Sequence, residues 1–228
     1  FIALCYWILP KPRQSRVGAA HKPSLKRLPG WSPGRGDWEE PCSDRMKGMI
    51  FRDLGLISFE EAYQLQCQTV GEIASGGSGE VVFLLEHPPV FTIGRRGSEA
   101  NLLRRTGFSG ESISITRINR GGDITYHGPG QLVGYPLLDL RHRGRDVHRY
   151  LRLLEESLIQ TSRRLGVQGY RKDGLTGVWT DNGKLASIGV GVRRWITMHG
   201  FALNVCTDLR YFNLINPCGI ESLSLIHI

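Results

Sequence analysis

The pattern of apolar and polar positions divides the chain into a leader without periodicity and an ordered region that begins near Ile50. Ser58 followed by Glu61 predicts a capping box, in which each side chain accepts a hydrogen bond from the backbone of the other residue. Apolar positions then recur at helical spacing until the glycine-rich run 76–79. The pattern therefore predicts a first helix that ends at this run.

Short apolar or alternating runs predict strands in the rest of the ordered region. They are Val81–Leu85, Val90–Ile93, 113–117, parts of 120–140, 177–180, 184–192, 195–198 and 201–205. Asp181, Asn182 and Gly183 predict a tight hairpin turn before one of these strands.

A second helix is predicted to begin after the N-cap residue Asp146 and to end near Leu165, where Gly166 stops it. Its apolar stripe is predicted to be Val147, Tyr150, Leu151, Leu154, Leu158 and Leu165. The order helix, strands, helix, strands predicts an α+β fold with a mixed or antiparallel sheet and helices on one face. It lacks the regular βαβ alternation of a dinucleotide-binding fold.

The run 120–140, RGGDITYHGPGQLVGYPLLDL, carries five glycines among residues that otherwise favour a strand. Glycine weakens a strand because it loses more backbone entropy than other residues and offers no side chain for packing. Close backbone approach to a ligand, or turns with positive φ, explain such a cost. We interpret the run as the rim of a pocket; a glycine-rich hairpin without a ligand is the alternative.

The net charge of +8 is concentrated in residues 1–48, which hold nine Lys/Arg and four Asp/Glu. We interpret 1–48 as disordered, or as translated sequence upstream of a start at Met46 or Met49, and 49–228 as the folded domain. Residues 49–228 hold twenty Lys/Arg and seventeen Asp/Glu, which is a weak basis for nucleic-acid binding. This mild surplus still favours an acidic protein partner.

The five cysteines are odd in number, widely spaced and without a CxxC motif. This argues against a disulfide framework and a structural zinc site, and it favours a reducing compartment. We therefore expect a cytoplasmic protein, or a mitochondrial one in a eukaryote, without a metal. No apolar run approaches the roughly 20 residues of a membrane helix.

Cys218 stands in the turn-forming run Asn-Pro-Cys-Gly, 216–219, and is a candidate nucleophile. A free thiol with a pKa near ~8.5 is only slightly ionised at pH 7, so it needs a cation or a base beside it. Lys184, at the head of an otherwise uncharged run, is one candidate partner. His127 and His199 are rival bases. For each of these residues, a packing role or a solvated position is the alternative.

The motifs of nucleotide and metal chemistry are missing: the chain has no GxxxxGK[ST], GxGxxG or HExxH. No cofactor is therefore expected.

Three motifs together resemble the lipoyl(octanoyl) transferases, which transfer octanoyl groups from acyl carrier protein to proteins. They are the run 120–140, GKLASIGVGVRRWITMHGFALNV at 183–205 and INPCGI at 215–220, in the family's order. The resemblance extends from about Ile50 to Ile220 and implies the α+β fold of biotin and lipoate protein ligases.

The resemblance also implies roles for individual residues. Cys218 matches the nucleophile that forms an acyl-thioester, and Lys184 matches the lysine that lowers the pKa of its thiol. The implied substrate-binding residues are Arg120, Gly121, Gly122, Asp123, Ile124, Thr125, Tyr126, His127, Ser187, Ile188, Gly189, Gly200, Phe201 and Ala202.

The implied reaction is the first step of endogenous protein lipoylation. The donor is octanoyl-acyl carrier protein, and the acceptors are lysines of lipoyl domains in 2-oxoacid dehydrogenases and of the glycine cleavage H protein. The donor thioester is already activated, so the reaction needs no ATP. An ATP-dependent lipoate or biotin ligase of the same fold and a non-catalytic module that binds acyl carriers are the alternatives.

The sequence departs from the family at both ends. The leader 1–48 has no counterpart, and Ser224–Ile228 does not resemble the helix that follows the family's Pro-Cys-Gly motif. We therefore expect the domain 49–228 to be truncated at its C-terminus.

Overall fold

The computed structural model describes residues 49–216 and 224–228. The predictions for the leader 1–48 and for Cys218 lie outside the described residues and stay predictions. Within the described ranges, the chain forms ten strands: β1 (Ile50–Leu56), β2 (Val81–Glu86), β3 (Val90–Ile93), β4 (Ser114–Arg117), β5 (Ile124–His127), β6 (Gln131–Leu137), β7 (Tyr170–Lys172), β8 (Leu175–Thr180), β9 (Gly183–Arg193) and β10 (Ile196–Asn204). The helices are α1 (Phe59–Ser75) and α2 (Val147–Arg164), with short 3₁₀ helices at Glu99–Asn101, Leu140–His142 and Leu209–Leu214.

The strands form two mixed sheets. The larger sheet has the order β1-β2-β6-β10-β9-β8-β7, in which only the β1–β2 pair is parallel. The smaller sheet has the order β4-β3-β5, with β3 parallel to β4 and antiparallel to β5. The predicted α+β class is confirmed.

Helix α1 begins and ends as its sequence predicts. The Ser58 hydroxyl accepts from the Glu61 N–H at 3.2 Å, and the Glu61 carboxylate accepts from the Ser58 N–H at 3.3 Å. Gly76 ends the helix in the left-handed conformation, with φ of 76°. The buried face of α1 packs on the larger sheet against residues that include Phe83 and Val133.

Helix α2 is capped by Asp146 as predicted, but it packs on the other face of the larger sheet. Ile196 and Met198 belong to the core under α1, so the intervening Thr197 points to the opposite face. The Tyr150 side chain of α2 interacts with Thr197 on that face. The expectation of helices on one face is therefore wrong, because apolar side chains cover both faces of the central strands.

Two further boundaries differ from the sequence prediction. The predicted strands 195–198 and 201–205 are one strand, β10, which passes through Gly200 without a break. Leu165 is 46% exposed and lies beyond α2, so it is not part of the apolar stripe. In both cases the boundary depends on contacts with neighbouring strands and helices, and the local sequence pattern does not contain this information.

Candidate active site

A pocket lies where β5 of the smaller sheet faces β9 and β10 of the larger sheet, beside the start of α1. It holds about 530 Å³ of space between atoms, which includes open solvent at its entrance. Its lining residues are Phe59, Ile118, Arg120, Gly121, Gly122, Asp123, Ile124, Thr125, His127, Tyr135, Lys184, Ser187, Ile188, Gly189, His199, Gly200, Phe201 and Ala202.

The pocket brings together almost all of the predicted site residues that the structure describes, although they come from three separate segments of two motifs. The first motif supplies Arg120–Thr125 and His127, the second supplies Lys184 and 187–189, and 200–202 come from the adjacent strand. Tyr126 is the exception among the described site residues. Its side chain is buried in the core of the smaller sheet and stacks on Tyr211 with ring centroids 4.8 Å apart.

The glycines of the pocket are explained by backbone packing rather than by space for a ligand. The Gly121 N–H donates to the Val190 carbonyl at 2.8 Å, so the loop of the first motif lies directly on β9. A Cβ added to Gly189 would be 2.9 Å from Arg120 Cδ and 3.1 Å from the Gly121 carbonyl oxygen. Gly122 has a φ of 90°, which disfavours other residues.

Lys184 is buried in the pocket wall and is not a solvated residue of the hairpin, which was the alternative left open by the sequence. Its side chain is 4% exposed, and its Nζ lies 5.2 Å from the centroid of the Trp179 ring, a cation–π contact. Its backbone N–H donates to the Ser224 carbonyl at 2.9 Å, and its carbonyl accepts from the Ile226 N–H at 3.2 Å.

A β-bulge between β8 and β9 turns Lys184 toward the pocket. Val178 pairs with Ala186, but the next residue, Trp179, pairs with Lys184, so β9 contains one extra residue at this point. Strict alternation would place Lys184 on the same face as Ala186. The bulge places it instead on the face of Trp179, which is opposite to that of Val178.

The residues on either side of the segment 217–223 are connected to pocket residues by hydrogen bonds. The Asn216 N–H donates to the Asn101 carbonyl at 2.7 Å, and Asn101 Nδ2 donates to Oδ2 of the pocket residue Asp123 at 2.6 Å. On the other side, Ser224 holds the backbone of Lys184. Cys218 itself lies outside the described residues.

The two candidate histidine bases are buried and uncharged at neutral pH. Burial, with a smaller contribution from the charge of His87, lowers the pKa of His127 to about 3. Burial and the nearby Arg120 lower the pKa of His199 to about 3. A group with such a pKa is a weak base, so His127 and His199 are better suited as pocket walls than as proton acceptors.

His199 is held in a strained conformation at the inner wall of the pocket. Its φ of 57° is unusual for a residue other than glycine. Its N–H donates to Gln66 Oε1 at 2.7 Å, and its Nε2 lies 2.6 Å from Asn119 Oδ1. The ring also stacks on Tyr63 with centroids 5.8 Å apart.

Three lining residues were missed by the sequence reasoning: Phe59, Ile118 and Tyr135. Each follows the apolar pattern of its own segment, so nothing in the sequence distinguishes it from a core residue. Within residues 49–216 and 224–228, no group of three or more potential ligands is arranged to hold a metal ion. Neither described helix is long and apolar enough to cross a membrane.

Comparison with known proteins places the chain in a family. Residues 58–224 match the lipoyl protein ligase A/B catalytic domain. The chain belongs to this family.

Curated relatives narrow the assignment. The chain is 59% identical over 172 residues to an octanoyltransferase of Syntrophotalea carbinolica. The aligned region is 75% of this chain and 79% of the relative. The chain is also 60% identical over 168 residues to an octanoyltransferase of Geotalea uraniireducens. That aligned region is 74% of this chain and 76% of the relative. The relatives place the chain among the octanoyltransferases, and the predicted acyltransferase class is confirmed.

Solved structures agree with the fold. A bi-partite lipoate protein ligase from Thermoplasma acidophilum superposes with a TM-score of 0.54 at 18% identity. The match covers 74% of this chain and 65% of that one. The biotin and lipoate ligase fold implied by the resemblance is confirmed.

Proposed function

We propose that this octanoyltransferase accepts an octanoyl group from acyl carrier protein on Cys218 and passes it to a lysine of a lipoyl domain. The supporting observation is that the first two motifs, which lie far apart in the sequence, converge on one pocket. Lys184 lies in its wall, and both described neighbours of the Cys218 segment, Asn216 and Ser224, are tied to pocket residues.

The reaction has two steps. The Cys218 thiolate attacks the carbonyl carbon of the octanoyl thioester, and the carrier thiol leaves with a proton. The neutral amine of the lipoyl-domain lysine then attacks the new acyl-thioester and forms an amide, and the proton that the amine loses passes to the departing sulfur, which leaves as the Cys218 thiol. A thioester is an activated acyl donor, so neither step consumes ATP.

Lys184 is proposed to stabilise the thiolate. An ammonium group near a thiol favours its ionised form and so increases the fraction of nucleophile at neutral pH. The bulge, the Trp179 ring and the backbone hydrogen bonds to Ser224 and Ile226 limit the movement of Lys184. A fixed cation loses little entropy when it pairs with the thiolate.

The pocket mouth suits an acidic donor. The turn 94–97 lies on the first motif, because the Arg95 N–H donates to the Arg120 carbonyl at 3.0 Å and the Arg96 N–H donates to the Gly122 carbonyl at 3.3 Å. Arg95 and Arg96 are exposed, and neither forms an ion pair with another described residue. We propose that they contact the acyl carrier protein.

The test is to incubate the protein with octanoyl-acyl carrier protein and to follow its intact mass. We expect one octanoyl group per chain, located at Cys218 by peptide mapping and absent in Cys218→Ser. Lys184→Ala should acylate more slowly at neutral pH than the parent chain, because less of its thiol is ionised.

Cys206 provides the matched control, since it is a free and exposed cysteine. Cys206→Ser should acylate like the parent chain. Octanoyl groups found on another residue, or acylation that persists in Cys218→Ser, would contradict the mechanism. Transfer that requires ATP would favour a ligase, and a parent chain that binds octanoyl-acyl carrier protein without transferring its octanoyl group would favour the non-catalytic module.

A further inference from the structure

Five hydrogen bonds, four of them buried and the last partly buried, connect the acyl pocket to the C-terminal segment 224–228. Arg120 Nη2 donates to Thr92 Oγ1 at 3.0 Å, and Thr92 Oγ1 lies 3.3 Å from His127 Nε2. His127 Nδ1 lies 2.7 Å from Gln131 Oε1. Gln131 Nε2 donates to Asn204 Oδ1 at 3.0 Å, and Asn204 Nδ2 donates to the Ile226 carbonyl at 3.1 Å.

The chemistry of the two ends sets the direction of every bond between them. A guanidinium group only donates and a carbonyl oxygen only accepts. Asn204 donates to the Ile226 carbonyl and accepts from Gln131 Nε2, so Gln131 Oε1 accepts from His127 Nδ1–H. Nε2 of neutral His127 then carries no proton and accepts from the Thr92 hydroxyl, while Thr92 Oγ1 accepts from Arg120.

The chain of bonds lies in the protein interior, where unsatisfied polar groups are costly. Thr92, Gln131 and Asn204 are at most 3% exposed. Buried polar networks that are fully satisfied make the structure around them rigid and specific. Two pocket-lining residues, Arg120 and His127, stand at one end of this network.

The other end holds the segment that contacts Lys184. The Ile226 carbonyl accepts from Asn204, while the Ile226 N–H donates to the Lys184 carbonyl. The Ile228 N–H also donates to the Asn204 carbonyl at 3.1 Å. Asn204 thus connects Gln131 of the first motif to the C-terminal segment. That segment in turn forms hydrogen bonds with the backbone N–H and the carbonyl of Lys184.

We propose that Gln131 and Asn204 are positioning residues for acyl transfer. They hold the C-terminal segment, and through it Lys184, in register with the acyl pocket, although neither residue lines the pocket. This inference rests on the proposed function, since it concerns the geometry in which the thioester is attacked.

Asn204→Asp is the sharpest test. The carboxylate keeps the size of the amide and still accepts from Gln131, but it has no N–H for the Ile226 carbonyl. We expect kcat for octanoyl transfer to fall about tenfold, because the partly buried Ile226 carbonyl loses its donor and the C-terminal segment is held less firmly. The KM for octanoyl-acyl carrier protein should change by less than about twofold, because the pocket walls stay in place. Amide exchange of Ile226 and Ile228, followed by NMR, should become about tenfold faster.

Asn213→Asp is the matched control. It makes the same chemical change at an exposed position of the 3₁₀ helix Leu209–Leu214, outside the network. We expect its kcat and its exchange rates to equal those of the parent chain. If Asn204→Asp does not fold, Asn204→Ala removes the same donor without adding a charge and carries the same expectation.

Three results would overturn the proposal. The first is fast exchange of Ile226 and Ile228 in the parent chain, at the rate of a free peptide. The second is an unchanged kcat in a variant whose exchange is accelerated. The third is a raised KM with an unchanged kcat, which would assign Asn204 to substrate binding. A parent chain that transfers no octanoyl group would overturn the proposed function alone, and the exchange rates would still decide whether Asn204 holds the segment.

Discussion

His127 illustrates at the scale of a residue how the environment changes the role that a side chain can have. In the sequence it stands beside Gly128 and is one of two histidines available as a base. In the fold it is buried, donates through Nδ1 to Gln131 and has a pKa of about 3. Burial therefore converts a candidate catalyst into a neutral part of the pocket wall.

The low pKa of His127 predicts acid sensitivity. The unfolded chain binds a proton at this histidine below its ordinary pKa of 6.5, while the folded chain does so only near 3. Its contribution to stability is therefore present above pH 6.5 and is lost as the pH falls. Between pH 7 and pH 5, we expect the free energy of unfolding to fall by about 2 kcal/mol more in the parent chain than in His127→Asn.

Urea unfolding at the two pH values measures this difference. His148→Asn is the control, because His148 is exposed on α2 and should leave the pH dependence of the parent chain unchanged. Equal losses in the parent chain and in His127→Asn would show that His127 is not held neutral by the fold.

At the scale of the element, local sequence determined the ends of the helices and neighbouring elements determined the strands. The capping box at Ser58 and the glycine at position 76 were predictable because a helix end satisfies its backbone groups with residues close in sequence. The bulge that turns Lys184 into the pocket was not predictable, because it is a relation between β8 and β9. The continuity of β10 through Gly200 depends in the same way on the strands on either side.

Two glycines should respond in opposite directions to alanine. A Cβ at Gly200 would be 2.6 Å from Pro136 Cδ and would also meet the Gly134 carbonyl oxygen, so β10 and β6 would have to separate. We expect Gly200→Ala to lower the free energy of unfolding by about 2 kcal/mol. Gly71 is exposed in α1 with nothing within 4 Å of an added Cβ, and Gly71→Ala should raise it by up to about 1 kcal/mol.

Thermal and urea unfolding of both variants measure these changes. A loss of stability in Gly200→Ala indicates a packing clash, and a gain in Gly71→Ala indicates helix propensity. Each variant controls for the other, since the same methyl group is added. A neutral Gly200→Ala would mean that the close contact between β10 and β6 relaxes without cost.

At the scale of the whole molecule, the arrangement of the two sheets creates the pocket, and the basic turn 94–97 lies on the backbone of the pocket residues Arg120 and Gly122. Charge reversal at Arg95 and Arg96 should therefore weaken the encounter with an acidic carrier. We expect kcat/KM for octanoyl-acyl carrier protein to fall about tenfold at low salt in the double variant with both arginines changed to Glu. The loss should shrink as the salt concentration rises, because exposed charges are screened.

Two comparisons test the site of this effect. Octanoyl-pantetheine, which lacks the carrier, should react equally with the parent chain and the variant. Arg149 and Arg163 lie exposed on α2, which packs on the face of the sheet opposite to the pocket, and the same double change there should leave kcat/KM near that of the parent chain. An equal loss in both double variants would indicate only a general effect of net charge.

The sequence by itself determined the α+β class, the helix ends, the hairpin turn before Lys184 and the membership of nearly every pocket residue. These features follow from local hydrogen bonding, from hydrophobic periodicity and from motifs that survive as continuous runs. Only the tertiary structure decided that Tyr126 points away from the pocket, that Phe59 and Tyr135 line it, and that Asn204 connects it to Ile226. Those relations join residues far apart in the chain, and side-chain direction across paired strands depends on register and bulges that no single segment encodes.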